Sequence, residues 1–175
     1  MRIAIISSAE IQIPKNIVPV IENIISNISK FKAIEIVTGG CMGIPGLLVE
    51  KAKTIGIRTI AFSPDENKKK HNKRSDNLAL EYFDEIKHFS GLTMRSLAMI
   101  KESDCVLMLN GRLGTLSEFT IALEEGKRVG IITNTGGISD HVEYILKVAQ
   151  KEFPNQTFFS PKTDEVLNWL MQESK

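Results

Sequence analysis

The stretch Val106-Leu107-Met108-Leu109-Asn110-Gly111-Arg112-Leu113-Gly114-Thr115-Leu116-Ser117-Glu118 decides how this chain reads. Its apolar start predicts a buried strand, Cys105–Leu109. Asn110 to Gly114 predict a glycine turn, and Thr115–Glu125 a helix closed by Gly126. Such a junction leaves backbone N–H groups free at the positive end of a helix, where a phosphate or another anion is stabilised. It also sets a carboxylate, Glu118, one turn inside the helix. A phosphate cradle beside an acid points to a phosphorylated small molecule, either bound or chemically altered.

Outward from this junction, strands and helices alternate. Ile3–Ser7 predicts the first strand, and Ile17, Val20, Ile21, Ile24, Ile25 and Ile28 recur at helical spacing after Pro14. Ala33–Val37 and Arg58–Phe62 predict strands around a helix over Pro45–Ile55. Ser63–Asn77 is polar, carries the run Lys68–Arg74, and predicts a long loop that could act as a mobile lid. Glu85–Phe89 predicts a short strand. A helix over Thr93–Glu102 is expected with Met94, Leu97, Ala98 and Lys101 on one side. Val129–Ile132 is a strand. Asp140–Lys151 reads as a helix with Val142, Ile145, Leu146 and Ala149 inward. Thr157–Phe159 reads as an edge strand and Asp164–Met171 as a last helix. This order predicts an α/β sandwich with a mostly parallel sheet, whose ligand lies at the carboxyl ends of the strands.

The bulk numbers are compatible with that. The 175 residues suit one compact domain, 1–175, without linker or repeat. A net charge of +1 gives no overall field for nucleic acid or an anionic membrane. Cys41 and Cys105 form no disulfide framework, and no signal-like apolar run precedes the first strand, so a cytoplasmic protein is expected. His71, His88 and His141 lack metal-ligand spacing, so no metal and no cofactor are expected.

A second glycine turn, Thr38-Gly39-Gly40-Cys41-Met42-Gly43-Ile44-Pro45-Gly46, follows the second strand. It is neither the dinucleotide G-x-G-x-x-G nor a P-loop. It reads as a plain tight turn or as a ligand-facing one. Cys41 stands near a helix start, where a thiolate pKa can fall, yet no base accompanies it. At the later turn, Gly111, Gly114 and Thr115 make a short anion nest. There Thr115-Leu116-Ser117-Glu118 also matches a capping box, in which Glu118 merely satisfies the Thr115 N–H. Its place beside a second glycine turn favours a functional Glu118. Arg112 adds a bidentate anion donor to the loop, or faces solvent.

The pair Thr38-Gly39-Gly40-x-x-Gly43 and Gly111-x-x-Gly114-Thr115-x-x-Glu118 resembles the LOG (LONELY GUY) family, once labelled "possible lysine decarboxylase". The resemblance covers roughly residues 1–150. It implies a three-layer Rossmann-like domain that usually dimerises, and in some members hydrolysis of the N-glycosidic bond of nucleoside 5′-monophosphates. Family members carry Met-x-x-Arg-Lys ahead of Pro-Gly-Gly-x-Gly-Thr-x-x-Glu. Here the first motif reads Leu92-Thr93-Met94-Arg95-Ser96, and Asn110 and Arg112 replace the Pro and the second Gly of the second. Those departures resemble a branch containing molybdenum-cofactor carrier proteins, which bind without established turnover.

For a hydrolase, the resemblance implies that Glu118 stabilises the oxocarbenium-like ribose and activates water. Arg95 then orients Glu118 or binds base or phosphate. Ser7, Ser8, Gly39, Gly40, Gly43, Gly111, Arg112, Gly114 and Thr115 are the expected phosphate and nucleotide contacts. The alternative is a non-catalytic carrier or sensor of a phosphorylated cofactor or oxyanion. A lysine decarboxylase is not expected, because no lysine is singled out for a pyridoxal Schiff base.

Overall fold

In a computed structural model, residues 1–172 are described. The strands are β1 (Arg2–Ile6), β2 (Glu35–Thr38), β3 (Arg58–Ser63), β4 (Glu85–His88), β5 (Cys105–Leu109), β6 (Arg128–Ile132) and β7 (Thr157–Ser160). They form one sheet in the order β4-β3-β2-β1-β5-β6-β7, and every neighbouring pair is parallel. The expected "mostly parallel" sheet is thus parallel throughout. Helices on both faces complete an α/β, Rossmann-like fold. On one face lie α1 (Ile17–Ile28), α2 (Gly43–Thr54) and α7 (Thr163–Met171). On the other lie α4 (Leu92–Lys101), α5 (Leu113–Glu124) and α6 (Val142–Val148).

The central strands are buried on both faces, so they read as unbroken apolar runs rather than alternating ones. Ile3, Ala4, Ile5 and Ile6 on β1 and Val106 to Leu109 on β5 are all at most 1% exposed. Ile3, Ile5, Leu107 and Leu109 pack toward α1, α2 and α7; Ala4, Ile6, Val106 and Met108 pack toward α4 and α5. Helix α1 buries Ile17, Ile21, Ile24, Ile25 and Ile28, as its spacing predicts.

The amino ends of the strands are tied by charge. Arg2 and Glu35 are register partners, as are Glu35 and Arg58. Arg2 Nε lies 2.7 Å from Glu35, Arg58 2.9 Å from Glu35, and Arg58 2.7 Å from Glu85. This ladder runs across β1 to β4 at the edge opposite the carboxyl ends. The Arg2 hydrogen bond holds the Glu35 carboxyl below the usual carboxylate range.

The chain runs outward from β1 to β4, then returns through α4 to place β5 on the far side of β1. The reversal between β1 and β5 opens a crevice at their carboxyl ends, the usual ligand position in such sheets. Segments after β1, β2 and β5 border it.

Three local expectations change. Helix α4 buries Ser96, Met99 and Ile100, while Met94 is exposed. The stripe through Met94 is therefore the outer one, because Ser96 turns inward to a polar partner described below. Helix α6 spans Val142–Val148, with a 3-10 turn at Gly137–Asp140, and buries Val142 alone; Ala149 is exposed. The polar segment 63–77 is docked rather than open. It contains a short helix, α3 (Lys68–His71), and His71 is fully buried. Its Nε2 lies 3.0 Å from the Leu78 carbonyl, so that nitrogen donates, and Nδ1 accepts from Ser63 Oγ at 2.9 Å. The lysines of the run do not border the crevice.

Candidate functional site

The crevice holds a pocket of about 350 Å³ between the segments that follow β1, β2 and β5. Ser7 and Ser8, Gly39, Arg95, Arg112, and Gly114 with Thr115 and Glu118 all line it. Gly111 borders a smaller cleft next to it. Gly40 and Gly43 border neither of these two. The two glycine turns therefore converge on one pocket, but contribute differently.

In the first turn the amides are spent within the protein. Gly40 N–H donates to Thr38 Oγ1 at 3.2 Å, Met42 N–H to the Asp76 carbonyl at 2.8 Å, and Ile44 N–H to the Ser8 carbonyl at 3.0 Å. Gly43, at φ +73°, is glycine because a β-carbon there would stand 2.6 Å from the Ser8 carbonyl oxygen. Gly39 is glycine because Arg95 lies against it. A β-carbon at Gly39 would stand 2.5 Å from Arg95 Nη1. The first turn thus builds the floor and seats an arginine.

In the second turn Gly111 N–H is likewise spent, donating to Asn110 Oδ1 at 2.7 Å, and the open amides are those of the helix start that follows it. Helix α5 begins at Leu113, so its first N–H groups have no carbonyl one turn earlier. Gly114 meets nothing within 4 Å of the β-carbon it lacks, and it borders the pocket. The Thr115 hydroxyl is held within the protein. It donates to the Ser7 carbonyl at 3.1 Å and accepts from Arg112 N–H at 3.3 Å, which pins α5 to β1. Ser7 Oγ donates to the Leu109 carbonyl at 2.6 Å, pinning β1 to β5. Ser8 Oγ accepts from Glu10 N–H at 3.3 Å.

Glu118 is 8% exposed, and its carboxylate is oriented by α4. Arg95 Nη1 donates to Oε1 at 2.6 Å and Ser96 Oγ donates to the same oxygen at 2.9 Å. The capping-box role is therefore replaced: Glu118 points to α4. Both donors meet Oε1, and Oε2 accepts from neither. The residue that stands where the resembled family has lysine, Ser96, thus helps hold the acid. That role was not legible in advance, because it depends on how α4 lies against α5.

Charge in the pocket is organised in pairs. Glu118 meets Arg95, Asp76 meets Arg74, and Glu10 meets Arg112. The Arg74 hydrogen bond holds the Asp76 carboxyl below its usual range. Of these pairs, Glu10–Arg112 is the most exposed, with side chains 58% and 68% accessible. An exposed pair of this kind is worth about 0–1 kcal/mol, so an incoming anion can take Arg112 at small cost. Glu10 and Asp76 were missed at the sequence level. Glu10's position just past β1 was a usable signal; Asp76, far from any motif, gave none. Cys41 also lines the pocket. Burial pushes its thiol up to about 11, which favours the protonated thiol at neutral pH. Among the described residues, no group of three or more His, Cys, Asp or Glu is placed to hold a metal ion.

Comparison with known proteins places the fold. Residues 1–164 match the SLOG cluster4 family, and the chain belongs to that family. The fold resembles a molybdenum cofactor binding protein from the phototrophic bacterium Rippkaea orientalis, at 20% identity and a TM-score of 0.73, over 95% of this chain and 93% of that one. It resembles the molybdenum cofactor carrier protein of Chlamydomonas reinhardtii at 15% identity and a TM-score of 0.71, over 98% of each chain. It also resembles DNA processing protein A of Helicobacter pylori, which binds single-stranded DNA, at 17% identity and a TM-score of 0.61, over 98% of this chain and 80% of that one. No curated protein matches the chain. The Rossmann-like fold is thereby established, and it is shared with the molybdenum cofactor proteins.

Proposed function

We propose that the chain binds a phosphorylated small molecule, such as a nucleotide, at the pocket where β1 and β5 part, and acts as its carrier or sensor. One observation carries this: the open start of α5 at Gly114 stands in the same pocket as Arg112, whose exposed carboxylate partner an anion can replace. Ser8, Gly39 and Glu118 are among the other residues that wall this pocket. The carrier role is supported by the molybdenum cofactor proteins that share the fold. Nucleic acid is not the proposed ligand, because the chain's net charge is +1 and the pocket's carboxylates are each paired. No helix among the described residues is long and apolar enough to cross a membrane, and a reducing, cytoplasmic location suits the two free cysteines.

A second reading, hydrolysis of a nucleoside 5′-monophosphate, rests on Glu118. With Oε1 held by Arg95 and Ser96, the other oxygen is the one left to activate water beside the anomeric carbon. Incubation with AMP separates the readings. Release of adenine and ribose 5-phosphate by the wild type, abolished in Glu118→Ala, supports hydrolysis. Binding without release supports the carrier.

We also infer a homodimer through the outer faces of α4 and α5. Leu92 and Met94 in the first turn of α4 and Leu113 at the start of α5 are exposed, at 57%, 57% and 80%, and the two helices are packing neighbours. Large apolar side chains exposed on two neighbouring helices are the kind of surface that proteins cover. Sedimentation of wild type against Met94→Glu tests it; equal masses refute it.

A further inference from the structure

The smaller cleft beside the pocket has a volume of about 190 Å³. Ser8, Glu10 and Arg112 border both spaces, so the Glu10–Arg112 pair is a wall shared by the two. On the far side the cleft is lined by Gln12, Asn110, Gly111 and Gly137. Its back is rigid. The Asn110 side chain donates to the Thr135 carbonyl at 2.8 Å, Ile138 N–H donates to the Gly111 carbonyl at 2.9 Å, and Ser139 N–H to the Asn110 carbonyl at 3.0 Å. Gln12, by contrast, is exposed and offers an amide at the rim.

Its size excludes a whole ligand, since self-sufficient small-molecule sites begin at roughly 300 Å³. It admits a fragment the size of a sugar. Arg112 stands between this cleft and the main pocket, next in the chain to the start of α5, which faces the main pocket through Gly114. A phosphate held there has space on both sides. A phosphate at the end of a molecule would leave one side empty.

We infer that the ligand carries its phosphate internally, as a nucleoside diphosphate joined to a sugar-sized group or a similar phosphodiester. The nucleoside occupies the pocket with Arg95 and Glu118, the phosphate takes Arg112 from Glu10, and the second organic end enters the cleft beside Gln12. This rests on the reading of the main pocket as a site for a phosphorylated molecule.

The test compares ADP with ADP-glucose by titration calorimetry on the full chain. The two share their nucleoside and both phosphates, and ADP-glucose has the lower charge. The expected result is ADP-glucose binding about tenfold tighter than ADP, with Gln12→Trp, at an exposed position, bringing it down to the level of ADP. Glu10→Gln tightens both several-fold by freeing Arg112. Binding of ADP equal to or tighter than ADP-glucose, or a preference that Gln12→Trp leaves in place, overturns the inference and leaves the main pocket's reading intact. Binding of neither overturns both.

Discussion

Gly39 and Arg95 meet through the space a side chain on residue 39 would fill, with Nη1 only 2.5 Å from where its β-carbon would stand. A glycine after β2 therefore sets the position of a guanidinium on α4, which in turn sets the Glu118 carboxylate on α5. Three elements distant in sequence are fixed by one missing methyl group. The chain from Gly39 to Glu118 is what makes the pocket a defined site.

Gly39→Ala should therefore displace the Arg95 head group while leaving the backbone in place. The expected cost is about 1 kcal/mol from overpacking, or roughly 2–4 °C in Tm for a chain of this size. AMP binding should fall at least tenfold, read by titration calorimetry. Unchanged binding would detach Arg95 from the site.

Gly114→Ala should do the opposite to stability. The position lies in the first turn of α5 with nothing within 4 Å of the added methyl. Replacing a helical glycine with alanine gains about 0.5–1 kcal/mol, so Tm should stay level or rise slightly. The methyl group then stands in the pocket, so the cost appears in ligand binding alone.

Removing one member of the Arg95–Glu118 pair should be costly to the fold. Their side chains are 12% and 10% accessible. Arg95→Ala leaves a carboxylate enclosed with Ser96 alone, and such losses run to about 3 kcal/mol, or roughly 6–12 °C in Tm. The double variant with Glu118→Ala should lose less than the sum of the two singles, the sign of a coupled pair. Thermal melts of all four proteins check this.

Much of this was readable from the residues, and the parts that were not share a cause. β5 and α5 announce themselves because a strand buried on both faces is unbroken in its hydrophobicity and Gly111 must interrupt it at φ +93°. The helix α4 was legible too, but its inward face was not, because that face carries Ser96, whose polarity is satisfied by Glu118 from another helix. Burial of His71 within a lysine-rich run likewise depends on a remote carbonyl, that of Leu78. At the site, both glycine turns were legible, but not their division of labour. That the first turn spends its amides on Thr38, Asp76 and Ser8 is set by tertiary neighbours, which local sequence does not encode.

Acid should weaken the fold from the edge opposite the site. The Glu35 carboxyl is held below its usual range by Arg2, so the stability it contributes is complete above the unfolded value of about 4.3. That contribution is lost as the pH falls through the folded value. Tm should be level with respect to this group above roughly pH 5 and fall below about pH 4. Glu35→Gln should lower Tm at pH 7 and shrink the gap at pH 3, measured by thermal melts in matched salt.

Phosphate binding at the open start of α5 is decided by titrating AMP into the wild type and into Gly114→Ala, each shown to be folded by its melt. One binding event per wild-type chain is expected, with at least tenfold weaker binding in Gly114→Ala. Absence of binding to the wild type, or equal affinity for both proteins, would rule out a phosphate held by the first amides of α5 in the pocket between β1 and β5.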